Sequence, residues 1–167
     1  AICAEHPNIV GLKDATGDLG RVKEIRSLVG DDFLLYSGND DTASNFVMRG
    51  GDGCISVTAN VAPEQMHDLM TAALEKDADL MQQINAPLKG LHTKLFVESN
   101  PIPVKYAAWR AGLITSPFCR PPLAELDTKV SMIFIERCLV QISFMTFYST
   151  LLSSTFYCSN TKSITKT

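Results

Sequence analysis

Residues 9–18 read IVGLKDATGD, a short apolar run that ends in a single lysine and passes at once into Asp-Ala-Thr-Gly. The run, taken from residue 8 to Lys13, predicts a buried parallel strand. A lysine at the end of such a strand is costly, because its ammonium must leave bulk water or lose its proton. The same cost makes the amine nucleophilic near neutral pH and able to form a Schiff base with a carbonyl substrate. The alternative is that Lys13 points its amine at solvent.

From this strand to about Lys129, apolar runs alternate with amphipathic stretches, and Gly or Pro marks the joins. The order is strand, helix, strand, helix, strand, then helices. Repeated βα units of this length imply parallel strands with right-handed crossovers. They fit either part of a doubly wound sheet or part of a (β/α)8 barrel. The later strands are predicted at 33–37 and 53–57, and the helices at 18–29, 39–49, 63–76, 77–96 and 104–111.

The placement of the polar motifs favours the barrel. Lys13, the SGND motif at 37–40 and the ISVT motif at 55–58 all fall where strands end and loops begin. In a (β/α)8 barrel these carboxyl ends of the strands form the active face. The predicted fold class is therefore α/β: a partial (β/α)8 TIM barrel, made of its last three βα units, followed by C-terminal helices.

Composition and charge exclude several classes of protein. The 167 residues carry a net charge of −3, so a nucleic-acid partner has no electrostatic support. The five cysteines are scattered and odd in number, which argues against a disulfide framework and favours reduced thiols in a cytoplasmic protein. Residues 1–8 show no signal peptide. Without a phosphate-binding glycine loop or metal-ligand spacing, the sequence predicts no metal site and no cofactor.

The composition changes near residue 130. Residues 130–167 contain 13 Ser or Thr and only four charged side chains. We therefore divide the chain into 1–129, the barrel part with its helical region, and 130–167, a tail that is not native to such a fold. The uncharged stretch from Cys138 to Thr161 is long enough to span a bilayer, but its Ser, Thr and Gln residues argue against a membrane helix.

Three residues at the strand ends are candidates for chemistry. Lys13 is the candidate nucleophile, because the other lysines of the barrel part lie in helical contexts, with Lys105 the least clear. Gly38 allows close approach of the backbone, or it serves an ordinary strand-to-helix turn. Ile55 can cover the methyl group of a small substrate, or it forms one layer of barrel packing. Asp14 is expected to point away from the lysine, because side chains alternate along a strand.

An amine alone does not complete this chemistry, since an acid–base group must dehydrate the carbinolamine and move protons. Tyr36 and Tyr106 are the phenols available before residue 130, and neither position points to this role. His67 and His92 are interpreted as helix-face residues, and residues 39–42 as candidate helix caps. The proton relay is therefore missing from the sequence as read from its residues.

Four motifs, in order along the chain, resemble the C-terminal half of the dihydrodipicolinate synthase family, also called 4-hydroxy-tetrahydrodipicolinate synthase. CRPPL at 119–123 is similar to that family as well, and the resemblance runs from about His6 to Asp127. The four motifs are VGLKDATGDL at 10–19, LYSGND at 35–40, GCISVTAN at 53–60 and FVESNPIPVK at 96–105.

The resemblance implies a (β/α)8 barrel followed by helices and assembled as a homotetramer. It implies that pyruvate forms a Schiff base on Lys13, and that the enamine attacks aspartate semialdehyde in lysine biosynthesis through diaminopimelate. Ile55 matches the residue that lies against bound pyruvate, and Gly38 matches a glycine that lines the pocket. Pyruvate lyases such as N-acetylneuraminate lyase share the lysine, but the motifs at 37–40 and 100–103 resemble the synthase more closely.

The family's N-terminal strands have no match in this sequence. The sequence therefore also lacks the family's threonine–tyrosine relay, its pyruvate-carboxylate loop and the site at which lysine inhibits some members. We therefore expect a fragment that carries the Schiff-base half and is inactive or very weak alone, with two open sheet edges prone to aggregation. The alternatives are a catalytically incompetent remnant or interaction fragment, and a membrane-tethered form that uses residues 138–161.

Overall fold

A computed structural model describes residues 6–127 of the chain. Within them three βα units follow one another, and two further helices complete the order. Each predicted element is present, with ends that differ from the prediction by up to three residues. The elements are β1 (Gly11–Asp14), α1 (Arg21–Val29), β2 (Leu34–Ser37), α2 (Asp40–Met48), β3 (Gly53–Cys54), α3 (Pro63–Leu74), α4 (Ala78–Lys94) and α5 (Ile102–Arg110).

The strands form one parallel sheet in the order β1-β2-β3. The register places Lys13 opposite Tyr36, and Tyr36 opposite Gly53. Within the described residues β1 and β3 each pair with one strand, so both outer edges of the sheet are unpaired, as the sequence predicts. This topology is that of three consecutive units of a parallel α/β fold.

Helices cover one face of this sheet. Leu35, in the middle of β2, is fully buried against Val22 of α1 and Phe46 of α2. Its neighbour Leu34 points to the opposite face, because side chains alternate along a strand, and it is 40% exposed. We call the two sides of the sheet the helix-covered face and the bare face.

The prediction that residues 8–13 form a buried strand is wrong in two respects. The strand runs from Gly11 to Asp14, and both Leu12 and Lys13 are exposed. The physical reason differs for the two residues. Lys13 lies on the bare face, whereas Leu12 shares the helix-covered face with Leu35 but stands on an edge strand, which has a neighbouring strand on one side only in the described part of the chain. The third strand also ends earlier than predicted, because the chain leaves it for a 3-10 turn at Thr58–Asn60.

The main core lies beside the sheet, between α2, α3, α4 and α5. Its fully buried members include Leu69 of α3, Leu88 and Leu91 of α4, and Ala107 of α5. Burying one leucine side chain stabilises a fold by about 1.5–3 kcal/mol. This cluster therefore holds the helices together without any contribution from the bare face of the sheet.

One arginine secures the amino ends of the strands, opposite the end where Lys13 lies. The guanidinium of Arg26 donates to the backbone oxygens of Phe33 (2.5 Å) and Gly50 (2.9 Å). It also pairs with Asp52, with 2.6 Å between Nη2 and Oδ2, and the same carboxylate accepts the amide of Leu35 at 2.6 Å. These bonds hold the amino ends of β2 and β3 in place. The carboxyl ends of the strands take no part in them and are available for a site.

The predicted tail lies outside the described residues. Both its boundary near residue 129 and the stretch from Cys138 to Thr161 therefore stay predictions. Among residues 6–127, none of the helices is long and apolar enough to cross a membrane. The longest of them, α4, has 17 residues.

Candidate active site

Lys13 lies near the carboxyl end of β1, on the bare face of the sheet. The register puts Tyr36 of β2 beside it on that face and Gly53 of β3 beyond Tyr36, and a Cβ built on Gly53 would lie 3.2 Å from the Tyr36 ring. The amine therefore lies on the opposite side of the sheet from the helices. In a closed barrel this side is the interior, whereas in the described part of the chain it is exposed.

Gly38, which follows β2, contacts the side chain of Lys13. A Cβ built on Gly38 would lie 2.8 Å from Cε of Lys13 and 2.7 Å from Cβ of Ala15, closer than real Cβ atoms approach. The amide of Gly38 also donates to the backbone oxygen of Asp14, at 2.7 Å. A glycine is therefore required here by the close approach of the loop after β2 to the end of β1.

Ile55 follows β3 and continues its hydrogen bonding, since its amide donates to the backbone oxygen of Ser37 at 2.9 Å. Alternation along the strand places its side chain on the same face as Gly53. The residue is 51% exposed. The three candidates from the sequence, Lys13, Gly38 and Ile55, thus share the carboxyl end and the bare face of the sheet, while their roles stay predictions.

Asp14 points away from Lys13 to the helix-covered face, as the alternation predicts. Its carboxylate accepts the amide (2.8 Å) and hydroxyl (2.6 Å) of Thr16, and it pairs with Nε of Arg21 at 2.8 Å. Burial works to raise the pKa of Asp14, but the hydrogen bonds from Thr16 and Arg21 outweigh it and hold the pKa below its usual value. Asp14 is therefore an ionised anchor for the end of β1.

The two phenols considered from the sequence lie in different places. Tyr36 is opposite Lys13 in the register, on the bare face. Tyr106 lies on α5, where its ring packs edge-on against Trp109 with 5.5 Å between the ring centroids. Lys105 lies on the same helix, and its amine donates to a backbone oxygen of the segment that follows. Tyr36 is therefore the phenol that the fold places next to the candidate nucleophile.

A buried polar network, which the sequence did not indicate, lies behind the loop that follows β3. The carboxylate of Asp40 accepts the amides of Val57 (3.0 Å) and Thr58 (2.8 Å) and the hydroxyl of Thr58 (3.0 Å). That hydroxyl lies 2.9 Å from Nδ1 of His92, and Nε2 of the same ring lies 3.2 Å from Oδ1 of Asn85. The network joins the start of α2, the loop after β3 and α4.

Two interpretations of the sequence change with this network. Asp40 is more than a helix-cap candidate and His92 is more than a helix-face residue, because both are buried, at 3% and 5% exposure. The burial of His92 could have been predicted from the spacing along α4, because polar and apolar residues there lie on one buried stripe of the helix. Its members recur every three or four positions: Met81, Asn85, Leu88 and His92. No such signal marks Asp40, whose carboxylate binds an amide 17 residues away.

Burial also changes the acid–base chemistry of two groups near this network. Burial lowers the pKa of His92, with Asp40 and Asp41 acting in the opposite direction. Burial, together with the nearby Asp40 carboxylate, raises the pKa of Cys54 to about 12, so its thiol is no nucleophile at neutral pH. Within residues 6–127, no group of three or more His, Cys, Asp or Glu side chains is arranged to hold a metal ion.

Comparison with known proteins identifies relatives of this chain. The family model described as the dihydrodipicolinate synthetase family matches residues 2–135. The 4-hydroxy-tetrahydrodipicolinate synthase of Shewanella baltica (strain OS155) is 52% identical over 129 residues, which are 77% of this chain and 44% of that protein. The enzyme of the same name from Alcanivorax borkumensis is 54% identical over 121 residues, 71% of this chain and 41% of that protein.

Solved structures of the same kind superpose on the chain. The chloride-inhibited dihydrodipicolinate synthase of Acinetobacter baumannii, crystallised with pyruvate, gives a TM-score of 0.78 at 41% identity and covers 84% of this chain and 47% of that one. The enzyme of Aquifex aeolicus gives a TM-score of 0.80 at 34% identity and covers 85% and 48%. The predicted fold class, a partial (β/α)8 TIM barrel with helices after it, is confirmed.

The chain spans less than half the length of these relatives. Within the chain the family match is nearly continuous, since residues 2–135 include all three βα units and the helices that follow them. The chain belongs to the dihydrodipicolinate synthetase family.

Proposed function

We propose that this chain carries the Schiff-base half of a 4-hydroxy-tetrahydrodipicolinate synthase. Pyruvate would form a Schiff base with Lys13, and the derived enamine would attack aspartate semialdehyde, in lysine biosynthesis through diaminopimelate. The main support is the position of Lys13 on the barrel-interior face at the carboxyl end of β1, with Gly38 against its side chain. Family membership and the pyruvate complex of the Acinetobacter baumannii relative support the same first substrate.

The proposed reaction begins with an unprotonated amine. The Lys13 amine attacks the keto carbon to form a carbinolamine, and loss of water gives the imine. Removal of a methyl proton converts the imine to an enamine, whose carbon forms a bond to the aldehyde carbon of the second substrate. These proton transfers need an acid–base group. We assign it to the barrel strands that the relatives have beyond the matched region, where the family resemblance implies a threonine–tyrosine relay.

We propose Gly38 and Ile55 as substrate-binding residues. The absence of a Cβ at Gly38 lets the loop after β2 lie against the lysine side chain, because a Cβ there would lie 2.8 Å from Cε of Lys13. Ile55 presents an apolar side chain at the next strand end, 51% exposed, and this suits contact with the methyl group of pyruvate. The site would then hold pyruvate between the loop after β2 and the loop after β3.

We further propose that the chain alone has little or no activity. A lysine amine becomes nucleophilic near neutral pH when it is desolvated or lies beside another cation, and Lys13 is exposed. The three described strands leave two sheet edges unpaired and cannot enclose the amine. On this proposal the active form is a closed barrel, assembled as a cytoplasmic homotetramer as the resemblance implies.

Reductive trapping tests the proposal. The full chain is incubated with pyruvate and borohydride, both alone and joined to the N-terminal part of the Shewanella baltica enzyme, which completes the barrel. Peptide mass mapping then identifies the lysine that carries the reduced pyruvyl group. The matched control is K13R, which keeps the positive charge and removes the nucleophile.

We expect the adduct on Lys13 in the completed barrel, little adduct in the chain alone, and none in K13R. A completed barrel that folds but carries the adduct on another lysine, or on none, would refute the proposal. Turnover with aspartate semialdehyde as second substrate then separates a synthase from a pyruvate lyase.

A further inference from the structure

We propose that Asp40 is a positioning residue for the pyruvate site. Its buried carboxylate holds the segment 55–58, and thereby Ile55, in place on the same face and at the same end of the sheet as Lys13. This inference deepens the proposed function and rests on it for the identity of the substrate. Asp40 acts through the backbone amides that it binds.

The segment 55–58 is held at both ends. At its start, the amide of Ile55 donates to the backbone oxygen of Ser37, at 2.9 Å. At its far end, the amides of Val57 and Thr58 both donate to the carboxylate of Asp40. A loop secured in this way has few positions to sample, so the apolar side chain that it carries is presented in one place.

The backbone also connects Asp40 to the side of the site where Lys13 lies. Asp40 follows Gly38 by two residues, and Gly38 lies against the side chain of Lys13 and donates its amide to Asp14. The stretch 37–40 therefore contacts the lysine strand on one side and the Ile55 segment on the other. A shift of Asp40 would change the distance between the two walls of the proposed pocket.

The direction of the Asp40 side chain distinguishes this role from ordinary helix capping. Asp40 is the first residue of α2, and the cap residue Asn39 makes no side-chain cap bond. The carboxylate is 3% exposed and binds the next loop instead. A buried carboxylate is unfavourable unless donors surround it, and here three donors come from Val57 and Thr58. These three bonds tie the loop after β3 to the side chain of Asp40.

A second layer fixes the hydroxyl that faces the carboxylate. Oγ1 of Thr58 donates to Asp40 and lies 2.9 Å from Nδ1 of His92. The imidazole of His92 is held in turn by Asn85, which lies on the same face of α4. Asp40 thus binds the loop after β3 directly and α4 only through Thr58, which makes Asp40 the residue to change.

The test compares variants of the full chain. D40A removes the acceptor, D40N keeps one acceptor oxygen, and T58V removes the hydroxyl while T58S keeps it. The matched control is S44A: Ser44 is buried on the same helix, and within the described residues its Oγ has no hydrogen-bond partner.

Two measurements are made on each variant. Hydrogen exchange reports the protection of the amides of residues 55–58. The dependence of borohydride trapping on pyruvate concentration, measured in the completed barrel, reports affinity separately from the number of reactive sites.

We expect D40A to speed exchange at 55–58 and to raise the half-saturating pyruvate concentration by about tenfold or more, with the trapping plateau retained, because small misplacements of binding groups are costly. D40N and T58V should be intermediate, and T58S and S44A should match the wild type. If D40A does not fold, D40N and T58V keep the test, because both nearly preserve side-chain shape.

Equal exchange at 55–58 in D40A and S44A would overturn the inference, as would faster exchange with an unchanged half-saturating concentration. If the wild type forms no adduct on Lys13, the proposed function fails. The exchange comparison then still decides whether Asp40 holds the segment.

Discussion

The two faces of the sheet are one residue apart in the sequence and are built in opposite ways. On the helix-covered face, Leu35 is fully buried and the carboxylate of Asp14 pairs with Arg21. On the bare face, Leu34 and Ile55 are 40% and 51% exposed. The same three short strands therefore carry a packed side and an unpacked side.

This difference separates stability from chemistry. Buried residues on the helix-covered face, such as Leu35 and Asp14, find their contacts among the described residues, so their loss should lower the free energy of unfolding. Residues on the bare face, Lys13 among them, should instead affect the binding of a substrate. Neighbouring residues of one strand can therefore be tested against each other.

The largest expected effect is at Lys13 itself. K13R should abolish the trapped pyruvate adduct, because a guanidinium remains protonated and does not attack a keto carbon. The free energy of unfolding should change by less than about 0.5 kcal/mol, because the residue is exposed. Denaturant titration beside the trapping assay checks both. A decrease in the free energy of unfolding several times larger than this would show that Lys13 supports the fold.

The adjacent leucines of β2 compare the two faces directly. L35A removes a fully buried side chain from the cluster with Val22 and Phe46 and should lower the free energy of unfolding by about 2–5 kcal/mol. L34A, on the bare face, should cost less than about 1 kcal/mol. Equal losses in urea titrations of the two variants would contradict the distinction between the faces.

A glycine pair sharpens the comparison within the bare face. G38A places a Cβ 2.7 Å from Cβ of Ala15 and 2.8 Å from Cε of Lys13, so we expect a loss of about 1–3 kcal/mol and slower adduct formation. G53A meets only the ring of Tyr36, at 3.2 Å, and should cost less. Thermal unfolding and trapping rates measure both. If G53A loses more stability and more trapping rate than G38A, the close contact with Lys13 is not what restricts residue 38 to glycine.

The smallest expected effect is on the pH dependence of stability. Burial lowers the pKa of His92, so the unfolded chain binds the proton more readily than the folded one. The neutral, buried His92 therefore contributes fully to the free energy of unfolding above the unfolded pKa of roughly 6.5. This contribution is lost as the pH falls from that value through the lower pKa of the folded state. H92Q should flatten this loss between roughly pH 7 and 5. Urea titrations of H92Q and the wild type across this pH range measure the difference, and equal slopes would contradict the prediction.

Much of the fold was predictable because its signals are local. The three βα units and the later helices follow from apolar periodicity and from Gly and Pro at the joins. The helix predicted at 18–29 ends before Gly30, which has φ of 78° and donates its amide to the backbone oxygen of Arg26. The direction of Asp14 follows from alternation alone, because any strand places consecutive side chains on opposite faces.

Contacts between distant segments were not predictable in the same way. Arg26 lies within the helix predicted at 18–29, but nothing in the sequence indicated that it binds Asp52 and the backbone oxygens of Phe33 and Gly50. The exposure of Leu12 was not expected either, since an apolar run has the same appearance at a sheet edge and in a sheet centre. These features depend on what packs nearby, which periodicity does not encode.

The order of the βα units and the presence of one lysine at a strand end followed from the sequence alone, because both are set by neighbours along the chain. Only the tertiary structure brought Gly38 against Lys13 and Asp40 against a loop 17 residues away. It also showed that His92, 34 residues beyond Thr58, completes that network. Hydrogen bonds over such separations form because helices and strands pack in one arrangement, and that arrangement belongs to the whole fold rather than to any stretch of it.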